Sequence, residues 1–367
     1  MRNLLCISFY GAAWGGSFIP SLLALEEEAK NNGIGITFLF PKMGEALPWA
    51  NSFPNAYWLE NDFFLRKGCS VKLIVRLLQI MHRHHITDVI TNFLGYNANL
   101  RMIRLLYGGG YSQIVHNTFH TPSRISWKRK LKLLLLEGTY DQFVGVSGWV
   151  AQSLVSGGLP ASRITKVNNA IDFKRLNSWT EMEMRKEERE ILIFMMGWPY
   201  YVKGVDIAIR AIHRLRMEGM DAVLVTPHKN VFSDIVRDFQ EVPSFVRFVE
   251  AREDVATFYN NVDVFLSASR EEGFGYANAE AVMARCIVLN SDIPPTIDME
   301  IPYNIFFKTG DVDDLYAKLK YCIENKQLIL SYKSKQQQYV KDTFSMELWS
   351  RKMLDTILQV NKKLCES

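Results

Sequence analysis

Two glutamates, Glu272 and Glu280, lie eight residues apart on either side of a loop that contains Gly273-Phe274-Gly275. Glycine lets the backbone turn tightly, and the start of the following helical pattern offers free N–H groups and the positive end of a helix dipole to phosphate. Carboxylates accept hydrogen bonds from sugar hydroxyls. The pattern predicts a site for an elongated ligand with phosphate and sugar groups. The spacing alone equally fits an ordinary strand-loop-helix connection whose glutamates face solvent.

Short apolar runs rich in β-branched residues alternate with longer helical patterns along the whole sequence. This alternation is typical of repeated βαβ units and predicts an α/β fold with parallel sheets, whose ligands bind at the carboxyl ends of the strands. The predicted strands are residues 4–9, 35–40, 88–93, 113–116, 142–146, 164–167, 191–196, 222–225, 246–249, 262–267 and 287–289.

A polar, heavily charged stretch between Asp172 and Arg189 divides the 367 residues, a length that usually forms two domains. We predict a Rossmann-like N-terminal domain over residues 1–172, a linker over 173–190 and a Rossmann-like C-terminal domain over 191–345. Residues 346–367 are predicted to form one or two terminal helices.

Composition excludes several classes of protein. Hydrophobic residues make up 48% and charged residues 22%, which is typical of a globular protein, and a net charge of +4 is too small for a nucleic-acid binder. The five cysteines include no C-x-x-C pair, and His82, His84 and His85 lack the spacing of metal ligands, so no disulfide framework or metal is expected. The apolar N-terminus is too short for a signal peptide, and no apolar run reaches the roughly 20 residues that span a bilayer, so a cytoplasmic location is expected.

Six stretches of the sequence form an ordered set: Gly15-Gly16-Ser17, Thr118-Phe119-His120-Thr121, Val146-Ser147, Asn169-Ala170-Ile171-Asp172, Gly197 with Lys203-Gly204-Val205-Asp206, and Glu272 with Glu280. Together they resemble glycosyltransferase family 4, within the glycosyl transferases group 1, which are retaining enzymes of the GT-B fold. Glu272 and Glu280 resemble the family's E-x7-E signature, and Gly197 with Lys203-Gly204-Val205-Asp206 resembles its G-R-x-x-x-x-K-G-x-D loop. The other four stretches resemble family segments in the same order.

The resemblance implies two doubly wound Rossmann-like domains that face each other across a cleft, the N-terminal one binding the acceptor and the C-terminal one the donor. It also implies that the helix over residues 346–367 packs back on the N-terminal domain. It implies that Lys203 neutralises charge on the leaving diphosphate, that Glu280 holds the ribose and that Glu272 holds the transferred sugar. His120 is implied to bond the donor sugar, and His116 is its rival. The residues implied to bind the donor are Gly15, Gly16, Lys203, Arg270, Glu272, Gly273, Phe274, Gly275 and Glu280, and those implied to be catalytic are His120, Lys203 and Glu272.

The implied reaction transfers a sugar, with retention, from a UDP- or GDP-sugar to a glycan, a lipid-linked oligosaccharide or a small molecule, for instance in cell-surface polysaccharide synthesis. Front-face attack, in which a donor phosphate oxygen takes the acceptor proton, needs no nucleophilic side chain, so Glu272 is not expected to attack. A covalent mechanism through a carboxylate is the alternative. No metal and no cofactor beyond the nucleotide-sugar substrate are expected.

The sequence departs from the family at several positions. Trp198 replaces an arginine expected at the diphosphate, for which Arg270 or Lys229 could compensate, and Arg285 replaces a glycine. These losses motivate the alternative of a catalytically silent GT-B protein that binds a sugar nucleotide or glycan as a partner subunit. A dinucleotide-binding oxidoreductase is disfavoured because no G-x-G-x-x-G opens a helix with an acidic residue at the right distance.

Residues 124–136 combine basic residues and Trp127 with a leucine run, which would suit an interfacial helix at the inner face of a membrane. In the alternative, the leucines pack on the N-terminal sheet while the lysines face water. The alternative is slightly favoured, because four consecutive leucines cannot all lie on one helix face.

Overall fold

The computed structural model describes residues 2–65, 68–118, 127–227 and 229–366. The chain divides into two compact units: Met1–Ala170 with Met346–Ser367, and Ile171–Ser345. Each unit contains one parallel β-sheet with helices between the strands, so the predicted α/β class with two Rossmann-like domains is confirmed.

The first unit has a seven-stranded parallel sheet in the order β3-β2-β1-β4-β5-β6-β7. Its central strands are apolar on both faces, as expected for a sheet covered on both sides. Cys6 of β1 lies opposite Phe38 on one side and Ile90 on the other. The strands are β1 Asn3–Ser8, β2 Gly35–Pro41, β3 Tyr57–Leu59, β4 Asp88–Asn92, β5 Gly110–Val115, β6 Gln142–Gly145 and β7 Ile164–Lys166.

The helices of the first unit bury one apolar stripe each. The inner residues of α3, α4, α5 and α6 share one hydrophobic cluster with the sheet, whereas α1 contributes to a second, aromatic-rich cluster. The side chain of Ser147 caps α6 by accepting a hydrogen bond from the Val150 amide at 3.2 Å. The helices are α1 Phe18–Asn31, α2 Asp62–Leu65, α3 Val71–Arg83, α4 Ala98–Tyr107, α5 Trp127–Glu137 and α6 Gly148–Ser156.

The second unit has a six-stranded parallel sheet in the order β10-β9-β8-β11-β12-β13. The strand order reverses between β8 and β11, where Ile193 lies opposite Val264. Such a switch point opens a crevice at the carboxyl ends of the strands. The strands are β8 Ile191–Phe194, β9 Ala222–Thr226, β10 Val246–Phe248, β11 Val264–Ser267, β12 Ile287–Ser291 and β13 Ile305–Phe307.

The core of the second unit is formed mainly by α8 and α13, whose buried aliphatic residues pack together against the sheet. Asp311 caps α13 by accepting hydrogen bonds from the amides of Asp313 and Asp314. The helices are α7 Lys174–Asn177, α8 Val205–Met217, α9 Phe232–Phe239, α10 Val255–Asn260, α11 Tyr276–Val282, α12 Pro294–Ile297, α13 Val312–Glu324, α14 Lys326–Ser331 and α15 Lys333–Thr343.

Residues 173–190, which the sequence sets apart as a linker, group with the second unit. The Thr180 amide donates a hydrogen bond to Thr257 at 3.0 Å, and the Met182 amide donates one to Asn261 at the same distance. Arg185 binds Asp263 at 2.7 Å. Two backbone amides and the charge of Arg185 thus attach this stretch to the second unit.

The last helix, α16, covers Met346–Glu366 and groups with the first unit. It packs against α1, and the Arg2 side chain donates a hydrogen bond to the Leu358 carbonyl at 2.8 Å. The chain therefore returns to the first unit after completing the second.

All eleven predicted strands are present, with ends that differ by a few residues from the predicted ones. The sequence analysis missed β3 and β13, which have three residues each and form one edge of each sheet. Among the described residues, no helix has the combined length and apolar character that crossing a bilayer requires.

Candidate functional site

The loop between β8 and α8 brings Lys203 to the carboxyl end of the second sheet. Gly204 precedes the helix in the left-handed conformation, with φ of 69°. A Cβ at this position would lie 2.2 Å from the Ala268 carbonyl oxygen, so only glycine permits the close approach to the end of β11. The Arg270 amide donates a hydrogen bond to the Val202 carbonyl at 2.8 Å, which joins the two loops.

Lys203 and Glu272, both predicted site residues, form an ion pair where these loops meet. The Ser269 hydroxyl donates a hydrogen bond to the same Glu272 Oε1 at 2.8 Å. Ser269 is itself fixed, because its carbonyl accepts a hydrogen bond from the buried Ser291 hydroxyl at 2.6 Å. The structure thus places an ammonium group and a carboxylate side by side at the strand ends, where both reach partly exposed positions.

Arg270 is held within its own loop. Its guanidinium binds both carboxylate oxygens of Asp206 at 2.8 Å and lies 3.9 Å from the ring centre of Tyr201. The hydrogen bond with Asp206 raises the pKa of Arg270 further above its usual range. Asp206 therefore already neutralises the cation that was predicted to replace the missing family arginine.

Glu280 lies in α11, which begins after Gly275 in the left-handed conformation with φ of 92°. The Glu280 side chain is 7% exposed, and its Oε1 accepts a hydrogen bond from Arg175 at 2.8 Å. Arg175 also donates to the Glu253 carbonyl at 2.9 Å. Burial, with the Glu280 charge as a second cause, raises the pKa of the neighbouring Tyr259 well above its usual range, so its hydroxyl stays protonated.

The departures from the family pattern have different surroundings. Trp198 is exposed, whereas a Cβ on the preceding Gly197 would lie 2.8 Å from the Thr226 hydroxyl. Arg285 is also exposed, and its guanidinium lies 5.0 Å from the ring centre of Trp179. The Lys229 side chain lies outside the described side chains.

The predicted residues of the first unit lie at the carboxyl end of its own sheet or beyond the described ranges. Gly15 and Gly16 precede α1, and Gly16 has a φ of 55°. His120 lies outside the described residues, so its role stays a prediction. His116 follows β5, is partly buried and lies within hydrogen-bonding distance of Asn92, at 3.1 Å between Nε2 and Oδ1.

Aromatic rings surround His116. Phe93, which follows β4 with a φ of 55°, stacks on the imidazole with 3.9 Å between ring centres. Phe18 approaches both rings edge-on, and Tyr10 lies 4.8 Å from Phe18. Burial among these rings lowers the pKa of His116 to about 3, so the imidazole is neutral at physiological pH.

Sequence reasoning missed Arg175 as a site residue. Its signal was weak, because it lies just after the stretch 169–172 and 105 positions from its partner Glu280. Asp206 was noted as part of a motif, but its bond to Arg270 was not predicted. Within the ranges described, no three His, Cys, Asp or Glu side chains come together as a metal-binding group.

The second unit matches a known protein family over residues 179–342, and the description of that family is "Glycosyl transferases group 1". This range includes Lys203, Arg270, Glu272 and Glu280. Over residues 179–342 the chain is therefore similar to the group 1 glycosyltransferases. No curated protein is significantly similar to the chain in sequence.

Solved structures share the fold of the whole chain. A glycosyltransferase from Rickettsia africae has a TM-score of 0.79 at 15% identity, covering 98% of this chain and 99% of its own. Anabaena Alr3699/HepE, solved with UDP and glucose, has a TM-score of 0.76 at 14% identity, with 98% and 100% covered. Sucrose-phosphate synthase from Thermosynechococcus elongatus has a TM-score of 0.76 at 13% identity, with 99% and 100% covered. The predicted GT-B fold is confirmed.

Proposed function

We propose that the chain is a retaining glycosyltransferase that uses a nucleotide sugar, with the donor bound at the carboxyl end of the second sheet. The observation that carries the proposal is the pair formed by Lys203 and Glu272, supported by Ser269, within the group 1 domain. The complex of Anabaena HepE with UDP-glucose supports a UDP-sugar as donor, and a GDP-sugar is the other candidate.

The ion pair of Lys203 and Glu272 could bind both the diphosphate and the sugar of a donor at one site. Lys203 neutralises Glu272 in the structure, so neither charge is left uncompensated. A diphosphate would compete with Glu272 for the ammonium group because it carries more negative charge. Glu272 would then accept hydrogen bonds from the hydroxyls of the sugar, while Ser269 keeps the carboxylate in position.

In the chemical step, the bond between the anomeric carbon and the diphosphate oxygen breaks, and the acceptor oxygen bonds to the same carbon from the same face. The proton of the acceptor hydroxyl passes to a phosphate oxygen of the departing nucleotide. Lys203 would stabilise the negative charge that develops on this leaving group, which is the usual role of a preorganised cation. We propose that this charge compensation makes a metal and a cofactor unnecessary.

Glu280 is proposed to bind the ribose through the carboxylate that Arg175 orients. Arg175 fixes the rotamer of a buried side chain, which preorganises the acceptor atoms for hydroxyl groups. We propose that His120, Gly15, Gly16 and the loop amides of Gly273-Phe274-Gly275 complete the binding of donor and acceptor. A glycan, lipid-linked or small-molecule acceptor fits the proposal, as does a role in polysaccharide synthesis in the cytoplasm.

A catalytically silent protein that binds a sugar nucleotide or glycan is the second candidate. It is favoured by one observation: Trp198 replaces the expected arginine, and the nearby Arg270 is already bound by Asp206. Such a protein would bind the nucleotide through Lys203 and Glu280 without turning it over.

A panel of nucleotide sugars separates the two candidates. The full chain is incubated with each donor, with and without glycan acceptors, and released nucleotide is measured, with an added chelator as the test for a metal. We expect turnover of one donor, unchanged by the chelator, and loss of nucleotide binding in Glu280→Ala. If no donor is turned over and Glu280→Ala binds nucleotide as the unaltered chain does, the enzyme proposal fails. Nucleotide binding without turnover would favour the silent protein.

A further inference from the structure

Basic residues are concentrated in one part of the first unit. Residues 63–136 contain twelve lysines and arginines but one acidic residue, Asp88, which is buried and bonded to Thr87. The rest of the chain contains 31 basic and 38 acidic residues, so it is net negative although the whole chain is net positive. The positive charge of residues 63–136 is therefore much larger than the net charge of +4 for the whole chain.

The same part of the chain has an excess of exposed apolar side chains. Among the side chains that the structure describes, ten of the 21 large hydrophobic residues that are exposed lie within residues 63–136, a fifth of the chain. Val71 of α3 is 78% exposed, Leu105 of α4 is 68% exposed and Leu134 of α5 is 66% exposed. A cluster of exposed apolar side chains among basic ones is typical of a surface that contacts another phase or molecule.

These side chains point away from the sheet on one side of it. The inner residues of the three helices, including Ile74, Ile103 and Leu133, belong to one hydrophobic cluster. The helices are also joined, since α3 packs on α4 and Arg101 of α4 donates a hydrogen bond to the Leu135 carbonyl of α5. The outward residues of α3, α4 and α5 therefore share one surface, which we name the basic-apolar face.

Each helix contributes differently to this face. On α3 the apolar Val71 and Val75 alternate with the exposed Lys72 and Arg76. On α4 the exposed residues are apolar: Met102, Leu105 and Leu106. On α5 they are Trp127, Lys128, Lys130, Leu131, Lys132 and Leu134. The four consecutive leucines 133–136 are split between the two sides of α5, since Leu133 and Leu136 are buried and Leu134 is exposed.

We propose that the basic-apolar face docks on the surface of a bilayer that contains anionic lipid. Charge complementarity selects the occupant, because lysine and arginine are attracted to anionic headgroups. Exposed leucine, valine and tryptophan side chains gain by entering the boundary between headgroups and acyl chains. A nucleic acid would match the charge but leave these apolar side chains in water. The proposal does not depend on the proposed glycosyltransferase activity.

Vesicle flotation tests the proposal with the full chain. Vesicles of phosphatidylcholine with phosphatidylglycerol are compared with vesicles of phosphatidylcholine alone, at low and at high salt. We expect binding to the anionic vesicles at low salt and weaker binding as salt screens the charges. Equal binding to both vesicle types, or no binding at low salt, would overturn the proposal, as would retention on a nucleic acid without flotation.

Two sets of exposed substitutions locate the surface without disturbing the core. Lys72→Gln, Arg76→Gln and Lys130→Gln together should weaken binding by about fivefold for each charge removed. The matched control removes three exposed lysines of the second unit: Lys308→Gln, Lys335→Gln and Lys341→Gln. If the control weakens binding as much as the first set, the attraction comes from net charge and the face is not the docking surface.

The apolar side chains need their own variant. Leu105→Gln with Leu134→Gln should reduce binding at high salt, where the electrostatic attraction is screened, whereas Met217→Gln with Leu328→Gln on the second unit should not. Circular dichroism checks that each variant is folded. Unchanged binding of the folded Leu105→Gln/Leu134→Gln variant would contradict insertion of the apolar side chains.

Discussion

The two units have the same kind of sheet, but the ends of their strands differ in chemistry. In the second unit, the segments after β8 and β11 contribute charged pairs, Lys203 with Glu272 and Arg270 with Asp206. In the first unit, the segments after β1, β4 and β5 contribute the rings of Tyr10, Phe93 and His116. The ends of the second sheet carry paired charges, and those of the first sheet carry aromatic rings around a neutral imidazole.

The contrast shows that the fold decides where a site lies, whereas the residues that follow each strand decide what it binds. Ion pairs at the second edge suit a charged ligand such as a diphosphate. Aromatic rings suit the apolar faces of sugars better than they suit phosphate. In the function proposed above, the donor would bind to the second unit and the acceptor to the first.

Removal of Lys203, at the carboxyl ends of the strands of the second sheet, should have the largest effect of all, and the effect should be on kcat/KM. Lys203→Gln should reduce kcat/KM for release of nucleotide from the donor by about 10²–10³-fold, because charge on the leaving group is no longer neutralised. Steady-state kinetics with the donor found in the panel measures it. Lys335→Gln, an exposed change on the same unit, is the control. If Lys203→Gln changes kcat/KM by no more than about twofold, the proposal that the donor binds beside Lys203 at the second sheet is wrong.

Breaking the buried pair of Arg175 and Glu280 should reduce stability rather than the chemical step alone. Arg175→Gln leaves the Glu280 carboxylate buried without its cation, so we expect the free energy of unfolding to fall by about 3 kcal/mol. Urea denaturation measures it. The exposed Arg285→Gln should change it by less than about 0.5 kcal/mol. If both changes lower the free energy of unfolding equally, the buried ion pair stabilises the protein no more than an exposed arginine does.

The aromatic rings around His116 should make the free energy of unfolding depend on pH. Folded His116 has a pKa of about 3, below the unfolded value of about 6.5, so the unfolded chain binds the extra proton between these values. Stability therefore falls as pH drops below about 6.5, by about 1.4 kcal/mol per pH unit for this group.

His116→Phe should remove this contribution, about 2 kcal/mol between pH 6.5 and pH 5. The comparison of urea unfolding at the two pH values measures it, with the exposed His213→Gln as control. An unchanged pH slope in His116→Phe would mean that the imidazole is not held neutral by the rings.

The smallest expected effect concerns Arg270. Arg270→Lys keeps the charge but loses the two-pronged bond to Asp206 and the contact with Tyr201, so we expect a loss of about 1 kcal/mol in unfolding free energy. Thermal unfolding measures it. If nucleotide binding instead falls strongly while stability is unchanged, Arg270 contacts the donor and its bond to Asp206 breaks on binding.

Most of the fold could be predicted from the sequence because buried parallel strands are continuous apolar runs. Asp88–Asn92, for example, is buried throughout, and its run was recognised. The strands Tyr57–Leu59 and Ile305–Phe307 could not be recognised in this way, since three residues are too few to establish a pattern. Their strand geometry comes from pairing with a neighbour at the sheet edge.

The candidate site could be predicted only in part. The turns at Gly204 and Gly275 could be predicted, because a left-handed backbone conformation favours glycine at that position. The partners of the charged residues could not be predicted, because they are far apart in the sequence. Arg175 is 105 positions from Glu280, and Arg270 is 64 positions from Asp206. Such pairs depend on how β8, β11 and the helices pack, and no local pattern encodes that packing.

The return of α16 to the first unit affects how the chain folds during synthesis. Because α16 packs on α1, the first unit acquires its last helix only after Ile171–Ser345 has been made. At about 5–20 residues per second, a ribosome needs on the order of ten to thirty seconds for that stretch. Throughout this interval the surface of α1 that α16 later covers stays uncovered on the nascent chain, and chaperones have time to bind it.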